Sequence, residues 1–132
     1  MKRLHINVGV SDLETSKIFY TRLFGVEPVT VKEDYVKWVV DDPRVNFAIQ
    51  THSPKKGVDH LGIEVEDLSS LQDVYRNLEK AGEYLVDRGE VTCCYAQSDK
   101  AWVFDPDKVA WETFCTISSS PVYGDGKSKR SV

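Results

Sequence analysis

The stretch "TCCYA", Thr92–Ala96, sets Cys93 and Cys94 side by side in a chain with three cysteines. A disulfide between neighbours would strain the peptide joining them. The pair is therefore either a coincidence of packing, two cysteines with partners elsewhere, or a grip on something soft, since thiolates are soft ligands. Two histidines, His5 and His60, each open a stretch of alternating apolar residues. One carboxylate, Glu112, stands in "VAWETF" among apolar neighbours, where a cation is the clearest reason for it. A single strand histidine is more often a half-buried polar residue than a ligand, and a strand glutamate is more often solvated. Together, two imidazoles and one carboxylate would leave one side of an ion open for water, oxygen or substrate. That set matches the facial triad of non-haem Fe(II), which a closed four-ligand site would not.

The elements that must position these groups repeat. "HINVGVSDLETSKIFYTRL" from His5 aligns without a gap on "HLGIEVEDLSSLQDVYRNL" from His60, at an offset of 55 residues. His5, Val10, Asp12, Leu13, Tyr20 and Leu23 recur as His60, Val65, Asp67, Leu68, Tyr75 and Leu78. Convergence of two amphipathic units could share Val, Asp and Leu; the shared histidines and tyrosines favour duplication.

Each copy opens with an alternating, β-branched strand, at 4–10 and 59–65. Asp12 and Asp67 are suited to cap the helices that follow. The apolar positions are Leu13, Phe19, Tyr20, Leu23 and Phe24 in the first helix, and Leu68, Leu71, Tyr75 and Leu78 in the second. Gly25 and Gly82 read as stops. Three strands follow each helix, near 26–31, 34–41 and 45–51, then near 84–90, 92–104 and 109–116. "DDPR" and "DPDK" turn the last pairs.

The expected fold is α+β. Tandem βαβββ modules, about 3–51 and 58–117, make one domain over 1–117, a curved, largely antiparallel eight-stranded sheet around a metal cavity with helices outside. The Ser-, Gly- and Lys-rich tail 118–132 is expected to be disordered. Asn46 in "RVNFAIQ" falls roughly where Glu112 falls in the second module, and an amide is a poor substitute for a carboxylate ligand.

With 132 residues the chain reads as one domain able to build a core without disulfides. A formal net charge of −4 argues against a nucleic-acid partner. No apolar run approaches the roughly 18 residues of a membrane span, and the first residues lack a signal peptide. A cytoplasmic protein with reduced cysteines is expected, as a monomer or homodimer.

"LHINVGVSDLETSKIFYTRLFG", "DHLGIEVEDL" and "DPDKVAWETF" resemble the signature regions of the vicinal oxygen chelate superfamily (glyoxalases, bleomycin-resistance proteins and extradiol dioxygenases) over residues 3–117. The resemblance implies His5, His60 and Glu112 as metal ligands, while Asn46 departs from the second glutamate of glyoxalase I. "TCCYAQSDKAWV" and "FYTRLFGVEP" are similar to the organoarsenical C–As lyases and related cadmium-induced proteins within that superfamily. This implies cleavage of the carbon–arsenic bond of trivalent methyl- or aryl-arsenicals to arsenite, with Fe(II) and dioxygen. Cys93 and Cys94 would hold the arsenic. Ni, Co, Zn or Mn could take the metal's place in a preparation.

Two other readings stand beside it: a thiol- and metal-binding protein that sequesters cadmium or arsenite without turnover, and an extradiol-type dioxygenase. The latter has no need of Cys93 and Cys94. Adjacent residues of a regular strand point to opposite faces. Two thiols can share one atom only if the backbone departs from strand geometry, so a loop around 88–96 that closes on substrate is expected. Cys115 reads as structural, pointing away from Glu112. Tyr95, Lys100 and Trp102 are candidates to line the pocket, with their facing undetermined; aromatic residues in a sheet more often pack, and Tyr95 and Trp102 are read that way.

Overall fold

The computed structural model describes residues 1–81, 86–93 and 96–119, with side chains over 1–81 and 100–115. The expected α+β order is present. Strand β1 (Arg3–Gly9), helix α1 (Leu13–Phe24), β2 (Thr30–Val31), β3 (Tyr35–Asp41) and β4 (Arg44–Gln50) form the first βαβββ series. Strand β5 (Gly57–Val65), α2 (Leu68–Lys80), β6 (Val86–Cys93), β7 (Ala96–Phe104) and β8 (Ala110–Ser119) form the second. The chain gathers into two compact units, Arg3–Leu61 and the residues from Gly62 onward with Met1–Lys2. Among the described residues, no helix is long and apolar enough to cross a membrane.

In the first unit the strands lie in the order β2–β3–β4–β1, antiparallel except for the parallel pair β1 and β4. Both helix caps form as the sequence predicts. Asp12 accepts from Thr15 N at 3.0 Å, and Asp67 accepts from Ser70 N at 2.8 Å. The bond from Ser70 holds the Asp67 carboxyl below its ordinary value. Gly25 closes α1 at φ 71°, a left-handed conformation that glycine adopts without a Cβ penalty. The second helix ends differently, with right-handed Ala81 as its cap; Gly82 lies outside the described residues.

Helix α1 covers one face of its sheet. Leu13, Tyr20 and Phe24 pack on Val8, Val36, Trp38, Val45, Phe47 and Ile49. The Tyr20 and Phe24 rings lie 4.5 and 5.1 Å from Phe47, within the range of favourable aromatic pairs. Phe19 and Leu23, expected in the same stripe, are instead 58% and 62% exposed. They sit roughly 100° behind Tyr20 and Phe24 on the helix, which turns them off the packed face.

In the second unit β6, β7 and β8 form antiparallel pairs. Leu71, Val74 and Tyr75 of α2 pack on Val65, Ala101 and Cys115. The strands expected at 84–90 and 92–104 are shifted: β6 runs on to Cys93, and β7 starts at Ala96.

Candidate functional site

Alternation along the first unit's strands puts its polar residues on the face away from α1. His5, Asn7, Asn46 and Gln50 are all buried there. Gln50 connects this face to the chain that leads to His60. Its Nε2 donates to Asn7 Oδ1 at 3.1 Å, and its Oε1 accepts from the backbone N–H groups of His52 and Ser53 at 2.7 and 2.8 Å. The connection also crosses close to β1. A Cβ on Gly9 would stand 2.3 Å from the Lys55 carbonyl oxygen, so only glycine fits.

These contacts bring His60 onto His5. The two rings lie 5.1 Å apart, with Nε2 facing Nε2 at 3.2 Å. On His5, Nδ1 lies 3.1 Å from both the backbone carbonyl oxygen and Oδ1 of Asn46. A carbonyl can only accept, so Nδ1 carries the proton. On His60, Nδ1 lies 2.8 Å from Asp59 Oδ2 and donates to it. Burial alone would raise the Asp59 carboxyl. The hydrogen bonds from His60 and Ser53, with the positive charge of Lys55, hold it below its ordinary value.

With both Nδ1 atoms donating, two neutral rings direct lone pairs at each other. That arrangement calls for a cation or an added proton. Cis nitrogen ligands at about 2.1 Å from one ion stand roughly 3 Å apart, so the 3.2 Å separation fits two donors to the same metal.

In the second unit, Trp111 and Thr113 line an apolar groove with Val74 and Leu78 of α2. Cys115 packs into the same helix-facing cluster, as the structural reading expected. Glu112 is buried and therefore on the other face of β8. Register pairs Trp102 with Glu112 and Lys100 with Phe114, so Lys100 shares that face. Lys100 Nζ donates to Glu112 Oε2 at 2.8 Å and stands 5.2 Å from the Trp102 ring centroid. The sequence leaves the facing of Lys100 undetermined; in the structure it is a buried cation paired with the proposed ligand. Breaking such a pair leaves a charge buried without its partner. Lys100→Met is accordingly expected to destabilise the protein by about 3–5 kcal/mol in denaturant unfolding.

Cys93 is the last residue of β6, paired in register with Ala96. Cys94 and Tyr95 lie outside the described residues, as does the Cys93 side chain. The loop expected over 88–96 is paired strand through Cys93, with one register irregularity between Val86 and Gly89.

The Glyoxalase/Bleomycin resistance protein/Dioxygenase superfamily matches residues 2–113. The chain is 41% identical over 124 residues to a probable trivalent organoarsenical cleaving enzyme of Bacillus subtilis (strain 168), over 92% of this chain and 85% of that protein. It is 40% identical over 122 residues to the trivalent organoarsenical cleaving enzyme of Bacillus sp. (strain MD1), over 88% of this chain and 74% of that protein. Its fold is similar to that of the Mn(II)-bound glyoxalase from Novosphingobium aromaticivorans. That match has a TM-score of 0.63 at 17% identity and covers 100% of this chain and 43% of the other.

Proposed function

Because the chain belongs to the Glyoxalase/Bleomycin resistance protein/Dioxygenase superfamily, we propose that it cleaves the carbon–arsenic bond of trivalent methyl- or aryl-arsenicals. The reaction uses Fe(II) and dioxygen and releases arsenite. His5, His60 and Glu112 hold the metal. Cys93 and Cys94 hold the arsenic. The names and identities of the two Bacillus relatives support the bond that is cleaved. The observation that carries the metal reading is the pair of Nε2 atoms facing each other at 3.2 Å with both Nδ1 atoms committed to acceptors. Among the described residues, the buried histidines and acids are His5, His60 and Glu112, the three proposed ligands.

When bound, Fe(II) supplies redox chemistry toward dioxygen from coordination positions that three protein ligands leave open. The residues do the rest. Lys100 holds one oxygen of Glu112 and fixes its carboxylate. Two adjacent thiols match the two exchangeable positions of a monomethyl arsenic(III) species. Holding arsenic beside the ion makes an encounter of separate molecules effectively intramolecular. Pentavalent arsenicals are poor substrates on this reading, because they lack the thiophilic centre until reduced.

The test is single-turnover speciation. Anaerobic, Fe(II)-loaded protein is given monomethyl arsenic(III), then oxygen, and arsenite is followed by chromatography. Arsenite should form only after oxygen is admitted, in proportion to Fe(II) loading. Tight binding without arsenite would leave the protein as a sequestering agent. Equal release without oxygen would remove the oxidative step and leave a lyase.

A further inference from the structure

The two proposed histidine ligands face each other through their Nε2 atoms, and a second pair of residues decides that it is those nitrogens that do so. We infer that Asn46 and Asp59 are positioning residues: they hold His5 and His60 in the Nδ1–H form, one as a neutral acceptor and the other as an anionic one. His60 is therefore the stronger of the two metal donors. The metal half of this inference rests on the ligand set proposed above; the tautomer half does not.

The geometry is specific to each ring. His5 and Asn46 are direct partners in the parallel β1–β4 register, so the sheet itself sets their approach. Two Asn46 oxygens, the backbone carbonyl and Oδ1, each lie 3.1 Å from His5 Nδ1. The His60 ring instead meets the carboxylate of its own chain neighbour, Asp59, at 2.8 Å. A carboxylate on the far nitrogen makes an imidazole a more basic ligand than an amide does, and such outer partners also fix the tautomer and ring orientation. Neutral histidine in water favours the opposite, Nε2–H form, so both rings are held away from their solution preference.

The third histidine provides an internal control. His52 presents Nε2, not Nδ1, to Asp34 Oδ2 at 2.6 Å. It should carry the opposite tautomer within the same spectrum.

The experiment is long-range proton–nitrogen correlation of the imidazoles in the metal-free full chain, at a pH of about 8, above the ordinary histidine range. His5 and His60 should report Nδ1–H, and His52 should report Nε2–H. Asp59→Ala should move His60 toward Nε2–H and weaken Co(II) and Fe(II) binding by about 10–100-fold. Asp59→Asn, which keeps an acceptor oxygen, should retain the tautomer but not the full affinity. Asn46→Ala should keep His5 as Nδ1–H through the backbone carbonyl and lose less than about tenfold. Asn46→Asp should tighten binding.

An Nε2–H ring at His5 or His60 in the wild type would overturn the proposal. So would an unchanged His60 tautomer in Asp59→Ala, or Asp59→Asn with neither the Nδ1 shift nor the affinity altered. If the tautomers respond as stated but no protein binds Co(II) or Fe(II), the positioning role stands and the metal reading fails.

Discussion

Replacing His60 by alanine is expected to lower Fe(II) affinity by well over a hundredfold and to abolish arsenite formation. Loss of a ligand's outer hydrogen-bond partner already costs about 10–100-fold in such sites, and His60→Ala removes the donor itself. It also removes one half of the facing Nε2 pair, so His5 is left with no second nitrogen at 3.2 Å to share an ion. His5→Ala and Glu112→Ala should follow it. Asn46→Ala should not, because Asn46 stands behind His5, on its Nδ1 side.

Two measurements check this. Anaerobic calorimetry reads the affinity directly. Thermal unfolding reads it through linkage, since metal at a hundred times its dissociation constant stabilises a folded protein by about 2.7 kcal/mol. The wild type and Asn46→Ala should show the metal-dependent rise in unfolding temperature; His60→Ala should show none. Normal Fe(II) affinity in His60→Ala would remove the three-ligand assignment.

Much of the fold was legible because local rules and packing agree. Asp12, Asp67 and Gly25 carry their own chemistry to the helix ends, and alternation along β1, β3 and β4 put those strands within a residue or two of their bounds. The misses have physical reasons. The strand expected over 26–31 shrinks to Thr30–Val31 because Pro28, which cannot donate to a ladder, sits in its middle. The β6–β7 boundary fell wrongly because "EVTCCYAQ" contains no Gly, Pro or Asn to mark it.

The site was legible in its types rather than its partners. The repeat pointed to His5 and His60, and they do meet. Asp59 was missed because adjacent strand residues are expected to face apart, yet its carboxylate reaches the His60 ring. Lys100 could have been found. Once "DPDK" turns the chain, Phe104 pairs with Ala110, and counting back from that pair puts Trp102 opposite Glu112 and Lys100 on the same face. Its ammonium then has one strand to cross to reach Glu112.

The second large effect concerns the thiols. Cys93→Ser and Cys94→Ser are each expected to weaken binding of monomethyl arsenic(III) by about 10²–10⁴-fold while leaving Fe(II) binding nearly intact. The size follows from bivalency. Once one thiolate has displaced one exchangeable position on arsenic, the neighbouring thiolate closes the second bond at a high effective concentration, an advantage of about 10²–10⁴-fold over a single attachment. Removing either thiol forfeits all of that advantage, so each single variant should fall most of the way to the double variant. The effects of the two substitutions should therefore be far from additive.

Cys115 cannot substitute for either partner. It is buried against Leu71, Val74 and Tyr75 on the helix-facing side of β8, and Cys115→Ser should retain arsenical binding. Serine keeps a similar shape but replaces a soft sulfur by a hard oxygen, which isolates the ligand chemistry from packing. Titration of metal-free protein with monomethyl arsenic(III), followed by Fe(II) calorimetry on the same variants, separates the two sites. Unchanged arsenical affinity in the Cys93→Ser, Cys94→Ser double variant would take the arsenic away from the thiols. Loss of Fe(II) affinity in the single variants would make the cysteines part of the metal site.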